Sequence, residues 1–220
     1  DLSFTNSSLF MAITVAVVTL LMVVGMRRRA MVPGRLQSVA ELSYGFISDM
    51  IRDNVGPRGR AYFPFVFTMF MFILFGNLLG MIPYSFTFTS HIVVTFILAL
   101  VVFVGVTIIG FAASGPKFLR LFVPAGAPVF LLPLLVVIEI ISYFVRPISL
   151  SLRLFANMMA GHTMLKVFGG FVLVVGAAGA LPILITVALT GLEVVVAILQ
   201  AYVFTILSCL YLNDAFHPGH

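Results

Sequence analysis

Long uncharged runs alternate with short basic ones along this chain. Residues 9–26 carry no charge for 18 positions, enough for a helix to cross a bilayer. Arg27, Arg28 and Arg29 follow at once. Residues 36–55 change character. In VAELSYGFISDMI, Val39, Leu42, Phe46 and Met50 recur at helical spacing, while Glu41, Asp49 and Arg52 fall on other faces. That pattern predicts an amphipathic helix lying at the membrane interface, ended by Gly56 and Pro57. A second span is predicted over 61–81, where Asn77 and Gly80 suggest close packing on a neighbour. A polar loop rich in Ser and Thr runs to His91, and a third span covers 92–111.

Loop charge orients these spans. Seven of the twelve Lys and Arg residues lie between Arg27 and Arg60, and Lys117 and Arg120 follow the third span. The loop 83–91 has none. By the positive-inside rule the basic loops are cytoplasmic, so the N-terminus and the loop 83–91 lie outside.

From residue 122 to 212 the chain is apolar almost throughout, interrupted by Pro124, Pro128, Pro133, Pro147 and Pro182 and by the turn GAAGA at 176–180. The simplest division is two long helices, 128–175 and 181–212. The first would reach roughly 60 Å or more at 1.5 Å per residue, twice the bilayer core. It either breaks into two spans or lies steeply tilted, and hydropathy does not decide between them.

Composition agrees with this picture. The chain is 62% hydrophobic and 9% charged, with mean hydropathy +1.22. A soluble domain is about half apolar and about a quarter charged. The expected class is therefore an all-α polytopic membrane protein forming a single membrane domain over 1–220. Tryptophan is absent, which leaves Tyr and Phe for any interfacial belt. The net charge of +5 is explained by the cytoplasmic loops, without basic–aromatic repeats, so no nucleic-acid partner is expected. Cys209 is the single cysteine, which excludes an internal disulfide, and it reads as a small buried hydrophobe. The chain begins on Asp1, as a processed or truncated product would. No basic residue precedes the first apolar run, so no signal peptide is assigned.

The candidate chemistry lies in the last ninety residues: Glu139, Ser142, Arg146, Ser149, Arg153, Asn157, His162, Lys166, Glu193 and Gln200. An ionisable group at membrane depth costs about 3 kcal/mol on insertion scales, so each needs a partner or a task. Glu139, Arg146 and Arg153 are seven apart, nearly two full turns, and share one stripe with Asn157. His162, nine residues beyond Arg153, points to the opposite side, with Lys166 one turn further. Glu193 and Gln200 share a face of the last helix. Arg153 is short of a counter-ion in its own chain. Glu139 is about 21 Å away along the axis, and Arg146 competes for it. Glu193, on the next helix, is a second candidate, for which His162 and Lys166 also compete. A carboxylate on another subunit is the expected answer. An arginine does not carry protons by releasing one. It acts as a fixed positive gate, and the carriers are groups that titrate or order water.

These residues also carry a resemblance. ISLSLRLFANMMAGH from Ile148 is similar to the signature of subunit a of the F-type ATP synthase. GLEVVVAILQAYVFTILSCLYLNDA from Gly191 resembles its last helix, and FGNLLGMIPYSFTFTSH from Phe75 its second span and outer loop. The resemblance covers nearly the whole chain. It implies a tilted two-helix hairpin curving around a ring of c subunits, and two offset half-channels that carry protons to and from a ring carboxylate. Carried over, Arg153 is the gate facing the ring, with Asn157 beside it. His162, Glu193 and Gln200 belong to the outer half-channel, and His91 to its entrance. Glu139, Ser142 and Ser149 belong to the inner half-channel. Lys166 has no counterpart in the pattern and reads as snorkelling to the outer interface.

The resemblance further implies c-ring subunits, peripheral-stalk b-type subunits and the rest of the ATP synthase complex as partners, all within a lipid bilayer. It implies no cofactor, no metal, no nucleotide site and no enzymatic activity of the chain alone. It favours protons over sodium, in a bacterial or a mitochondrial inner membrane. Two other readings stand beside it. An independent transporter or channel predicts an internal repeat or a self-contained charge-balanced site, and neither is visible. A purely structural anchor does not require two polar faces flanking an arginine.

Overall fold

The computed structural model describes residues 5–27, 33–82, 85–123, 130–175 and 180–216, with the side chains of 117, 120, 172–175 and 180–182 excepted. Arg28, Arg29, Pro83, Pro124, Pro128, most of the GAAGA turn and the predicted start of the first long helix lie outside these residues.

Among the described residues all regular structure is helical. It comprises α1 (Asn6–Arg27), α2 (Arg35–Asn54), α3 (Phe63–Gly80), α4 (Ile92–Ser114), α5 (Leu132–Val175) and α6 (Ala180–Phe216), with 310 turns at Pro57–Tyr62, Phe88–Ser90 and Gly115–Phe122. Five helices are long and apolar enough to cross a membrane, α2 being the exception. The chain is an all-α polytopic membrane protein. α2 stops where Gly56 adopts φ 80°, a left-handed conformation that glycine takes without strain, and Pro57 then opens the turn into α3.

Each apolar helix satisfies its own backbone hydrogen bonds, which is what makes it stable in hydrocarbon. α5 stays a single helix of 44 residues through Pro147, about 66 Å long, and α6 has 37 residues, about 55 Å. Holding either within a hydrocarbon core of about 30 Å inclines it roughly 60° from the membrane normal. The break into two spans that hydropathy left open does not occur.

α6 lies at the centre and packs on α3, α4 and α5. Its buried stripe is Glu193, Ala197, Gln200, Ala201, Phe204 and Ser208. The two alanines leave room for α3, whose Asn77 is fully buried and donates to the Ala197 carbonyl at 3.3 Å. This is the close approach that Asn77 suggested, while Gly80 lies against Thr87 of the following loop. α5 answers with Tyr143, Leu150, Leu154 and Met158.

α2 departs from the predicted pattern. Ala40, Ile47, Met50 and Ile51 form its buried face, while Val39, Leu42 and Phe46 remain exposed. Of the four positions predicted as the apolar face, only Met50 is buried against protein. The helix has a second apolar surface, and the exposed one suits an interfacial helix facing lipid.

The helix ends sort into two groups. Phe10 near the start of α1 touches Phe86 in the loop after α3, with ring centroids 6.2 Å apart. At the other end, Tyr62 meets Phe216, and Ser114 Oγ donates to the Ala215 carbonyl at 2.9 Å. Arg58 and Arg60 belong to the turn leading into α3 at this second end, below called the inner end.

Candidate functional site

The polar residues of α5 lie beside its buried stripe. Taking Leu154 as the direction of α6, Arg153 points about 100° to one side, Asn157 about 60° to that same side, and His162 about 80° to the other. α6 is therefore reached from two flanks. On one, Asn157 Nδ2 donates to Gln200 Oε1 at 2.8 Å. On the other, His162 Nδ1 lies 3.2 Å from Glu193 Oε1. Asn157 thus sits next to Arg153 and is bonded to α6, a link that spacing within α5 did not reveal.

At the inner end Arg146 is held on several sides. Its Nη1 donates to Asp214 Oδ2 at 3.0 Å, and its guanidinium carbon lies 5.5 Å from the Tyr143 ring centroid and 5.0 Å from that of Tyr211. Stacking and a carboxylate together suit a guanidinium well. The Tyr143 hydroxyl is in turn 2.6 Å from Thr107 Oγ1 of α4. The competition between Arg146 and Arg153 for Glu139 does not arise, because Arg146 takes Asp214. Glu139 is half-buried and enters no ion pair among the described residues. Ser142 and Ser149 are exposed on the same flank.

Arg153, midway along the hairpin, is exposed and belongs to none of the ion pairs of the described residues. On its flank, one and two turns further along α5, Ala156 and Ala160 are exposed beside it.

At the outer end Glu193 is 5% exposed. It fits there because residue 161 is glycine: a Cβ at that position would come 2.7 Å from Glu193 Oε1. The contact with His162 is short but poorly aligned, so both carboxyl oxygens are buried without a hydrogen-bond partner among the described residues. Gln200 Nε2 and Asn77 Oδ1 are in the same state. Burying such atoms costs about 1–3 kcal/mol each unless water reaches them. His162 Nε2 is 2.7 Å from Thr87 Oγ1. A cavity of about 710 Å³ opens onto this corner, lined by His162, Thr87, His91, Lys166, Ser85 and Ser90 among others. His91 is stacked on Phe86 with ring centroids 5.0 Å apart.

The geometry thus brings His162 together with Glu193 and Asn157 with Gln200, and sets His91 on the cavity that reaches His162. It leaves Arg153, Glu139, Ser142 and Ser149 along one open flank. Two contributors escaped the sequence reading. Asp214 stands in the quoted LNDA, and its charge near a helix end was a signal. Thr87 carried none. Among the described residues no group of three or more His, Cys, Asp or Glu is placed to hold a metal ion.

The family described as ATP synthase A chain matches residues 8–213. The chain is 63% identical over 227 residues to ATP synthase subunit a of Parvibaculum lavamentivorans, covering 100% of this chain and 87% of that one. Against ATP synthase subunit a of Pelagibacter ubique the identity is 60% over 221 residues, covering 100% and 91%. Against that of Paramagnetospirillum magneticum it is 58% over 224 residues, covering 99% and 91%.

Proposed function

Because the chain belongs to the ATP synthase A chain family, a family of membrane subunits of the proton-translocating ATP synthase, we propose that its α5–α6 hairpin is the stator face against which a ring of c subunits turns. The chain is an integral protein of the bacterial inner membrane and, by family, a non-catalytic subunit. It binds no nucleotide, works within the rest of the complex, and is held by peripheral-stalk b-type subunits. Residues 1–220 act as one membrane domain.

The observation that carries this reading is the contrast among charges. Arg146 is paired with Asp214 and His162 touches Glu193, whereas Arg153 is exposed with no counter-charge among the described residues. A permanent cation on an apolar face is costly unless a carboxylate is brought to it. A ring carboxylate passing Arg153 is held ionised by the guanidinium, and the same charge repels a proton.

Protons enter through the outer cavity past His91, move by way of His162, Glu193, Gln200 and Asn157, and reach the ring carboxylate on one side of Arg153. They leave on the other side along Glu139, Ser142 and Ser149. The unpartnered oxygens of Glu193 and the free Gln200 Nε2 support this role, since polar atoms left open by protein are available to water and to a proton in transit. One proton crossing 100 mV releases about 2.3 kcal/mol, so several crossings must be accumulated for each ATP. Rotation accumulates them, provided that no proton crosses directly, and Arg153 closes that route.

Arg153→Ala tests the assignment. The complex assembles, while ATP-driven acidification of inverted vesicles and ATP synthesis are both lost. Normal pumping in this variant removes Arg153 from the gate. An independent channel is the other reading. It predicts that the chain is isolated as a stable oligomer with neither ring nor ATPase, and copurification decides between the two.

A further inference from the structure

Thr87 stands at the junction of three elements. Its side chain is buried, and its hydroxyl contacts the Gly80 carbonyl at 2.8 Å and His162 Nε2 at 2.7 Å. A hydroxyl has one proton to give. Gly80 is the last residue of α3, so its carbonyl lacks a helical N–H and needs a donor. When Thr87 gives its proton to Gly80, only the oxygen lone pairs remain for His162. His162 Nε2 must then be the donor. The fit is close: a Cβ on residue 80 would come 2.6 Å from Thr87 Oγ1, so the contact depends on glycine there.

We infer that Thr87 is a positioning residue that keeps a proton on His162 Nε2 and leaves Nδ1, the ring atom nearest Glu193, unprotonated. The inference rests on the reading that His162 and Glu193 lie on the outer proton path. Its consequence is chemical. With Nε2–H fixed, the 3.2 Å gap between Nδ1 and Glu193 Oε1 is favourable only when a proton lies in it, on the carboxyl or on the ring. An empty gap sets a lone pair against a carboxylate. The pair is thereby kept loaded, and its exchangeable proton sits on the Glu193 side, away from the cavity. If the ring were free to change tautomer, Nδ1–H could donate to an ionised Glu193 and the pair would rest with one proton fewer. The charged and titratable neighbours are Glu193 from α6, Lys166 one turn along α5, and His91 across the cavity. Among the described residues, Thr87 is the one in hydrogen-bonding contact with Nε2.

The test uses the intact complex in lipid vesicles, with 15N-labelled histidine and His162 assigned by loss of its signals in His162→Gln. The expected wild-type spectrum has the neutral ring protonated on Nε2. In Thr87→Val it shifts towards the Nδ1-protonated form, and passive proton flux falls by about fivefold, the weight of one net hydrogen bond. Thr87→Ser restores both. Gly80→Ala displaces Thr87 by another route and gives the same spectral change, should Thr87→Val fail to assemble. A wild-type ring protonated on Nδ1, or a spectrum indifferent to Thr87→Val and Gly80→Ala, overturns the inference. If the tautomer follows Thr87 but His162→Gln leaves flux unchanged, the positioning stands, and the assignment of His162 to the proton path is what fails.

Discussion

The two ends of the α5–α6 hairpin treat charge in opposite ways. At the inner end Arg146 is enclosed by Asp214, Tyr143 and Tyr211, and Thr107 holds Tyr143 in place. At the outer end Glu193 is buried more deeply than either member of the inner pair, yet its oxygens have no hydrogen-bond partner among the described residues. The same two helices therefore build one site that is saturated and one that is left open. A saturated pair resists change, because moving either partner strands the other. An open site can gain and lose a proton without dismantling a network. Arg153 lies between the two, neutralised by neither. On the proposed function, the inner clamp also keeps Arg146 from competing for the carboxylate brought to Arg153.

The sharpest attack on this contrast is at its midpoint. Arg153→Lys keeps the charge but replaces a group that never releases its proton with one that can. Coupling between ATP hydrolysis and proton movement is lost, and vesicles carrying the variant leak protons when the ATPase is inhibited. A tight, fully coupled variant would show that a positive charge alone suffices. Next is the open end. Glu193→Gln preserves shape and removes the titratable oxygen. Proton flux slows by about a hundredfold, the lower end for losing a positioned acid or base, while ATP hydrolysis stays coupled to what flux remains. Flux that is unaltered at every pH measured takes Glu193 off the path.

At the closed end the effects are on stability first. Asp214→Asn leaves the guanidinium without its ion pair. Because both partners are partly exposed, the cost is about 1–2 kcal/mol, read as earlier thermal dissociation of the purified complex. Arg146→Met combined with Asp214→Asn recovers most of that loss if the pair acts as a closed unit. Simple addition of the two single effects would mean that it does not. Tyr143→Phe should be the mildest. It removes one hydrogen bond to Thr107 and costs about 1 kcal/mol in the same assay, with flux unchanged.

Much of this was legible in the sequence. The apolar runs and the three-arginine stop located the spans, because length and charge alone decide what a bilayer accepts. The sevenfold spacings of Glu139, Arg146 and Arg153, and of Glu193 and Gln200, put each set on its own helical stripe. Partner choice between helices was less accessible. Arg146 had Glu139 two turns away on its own stripe, yet it pairs with Asp214, 68 residues on. Axial register within the hairpin decides that, and no periodicity inside α5 encodes it. Thr87 was invisible for a related reason. A hydroxyl in a Ser- and Thr-rich loop gains meaning only when α3 delivers it to His162. α2 shows a third limit: its pattern carries two apolar surfaces, and the sequence does not say which one protein covers.

Gly161 puts a boundary on how this protein can be improved. Replacing a glycine inside a helix with alanine is a standard route to a more heat-resistant protein, gaining about 1 kcal/mol in helix propensity. In α5 that exchange would set a methyl group 2.7 Å from the Glu193 carboxyl. The sturdier helix would be made at the expense of the site it supports. A search for thermostable variants of this subunit should return few with alanine at 161, and those few should synthesise ATP slowly.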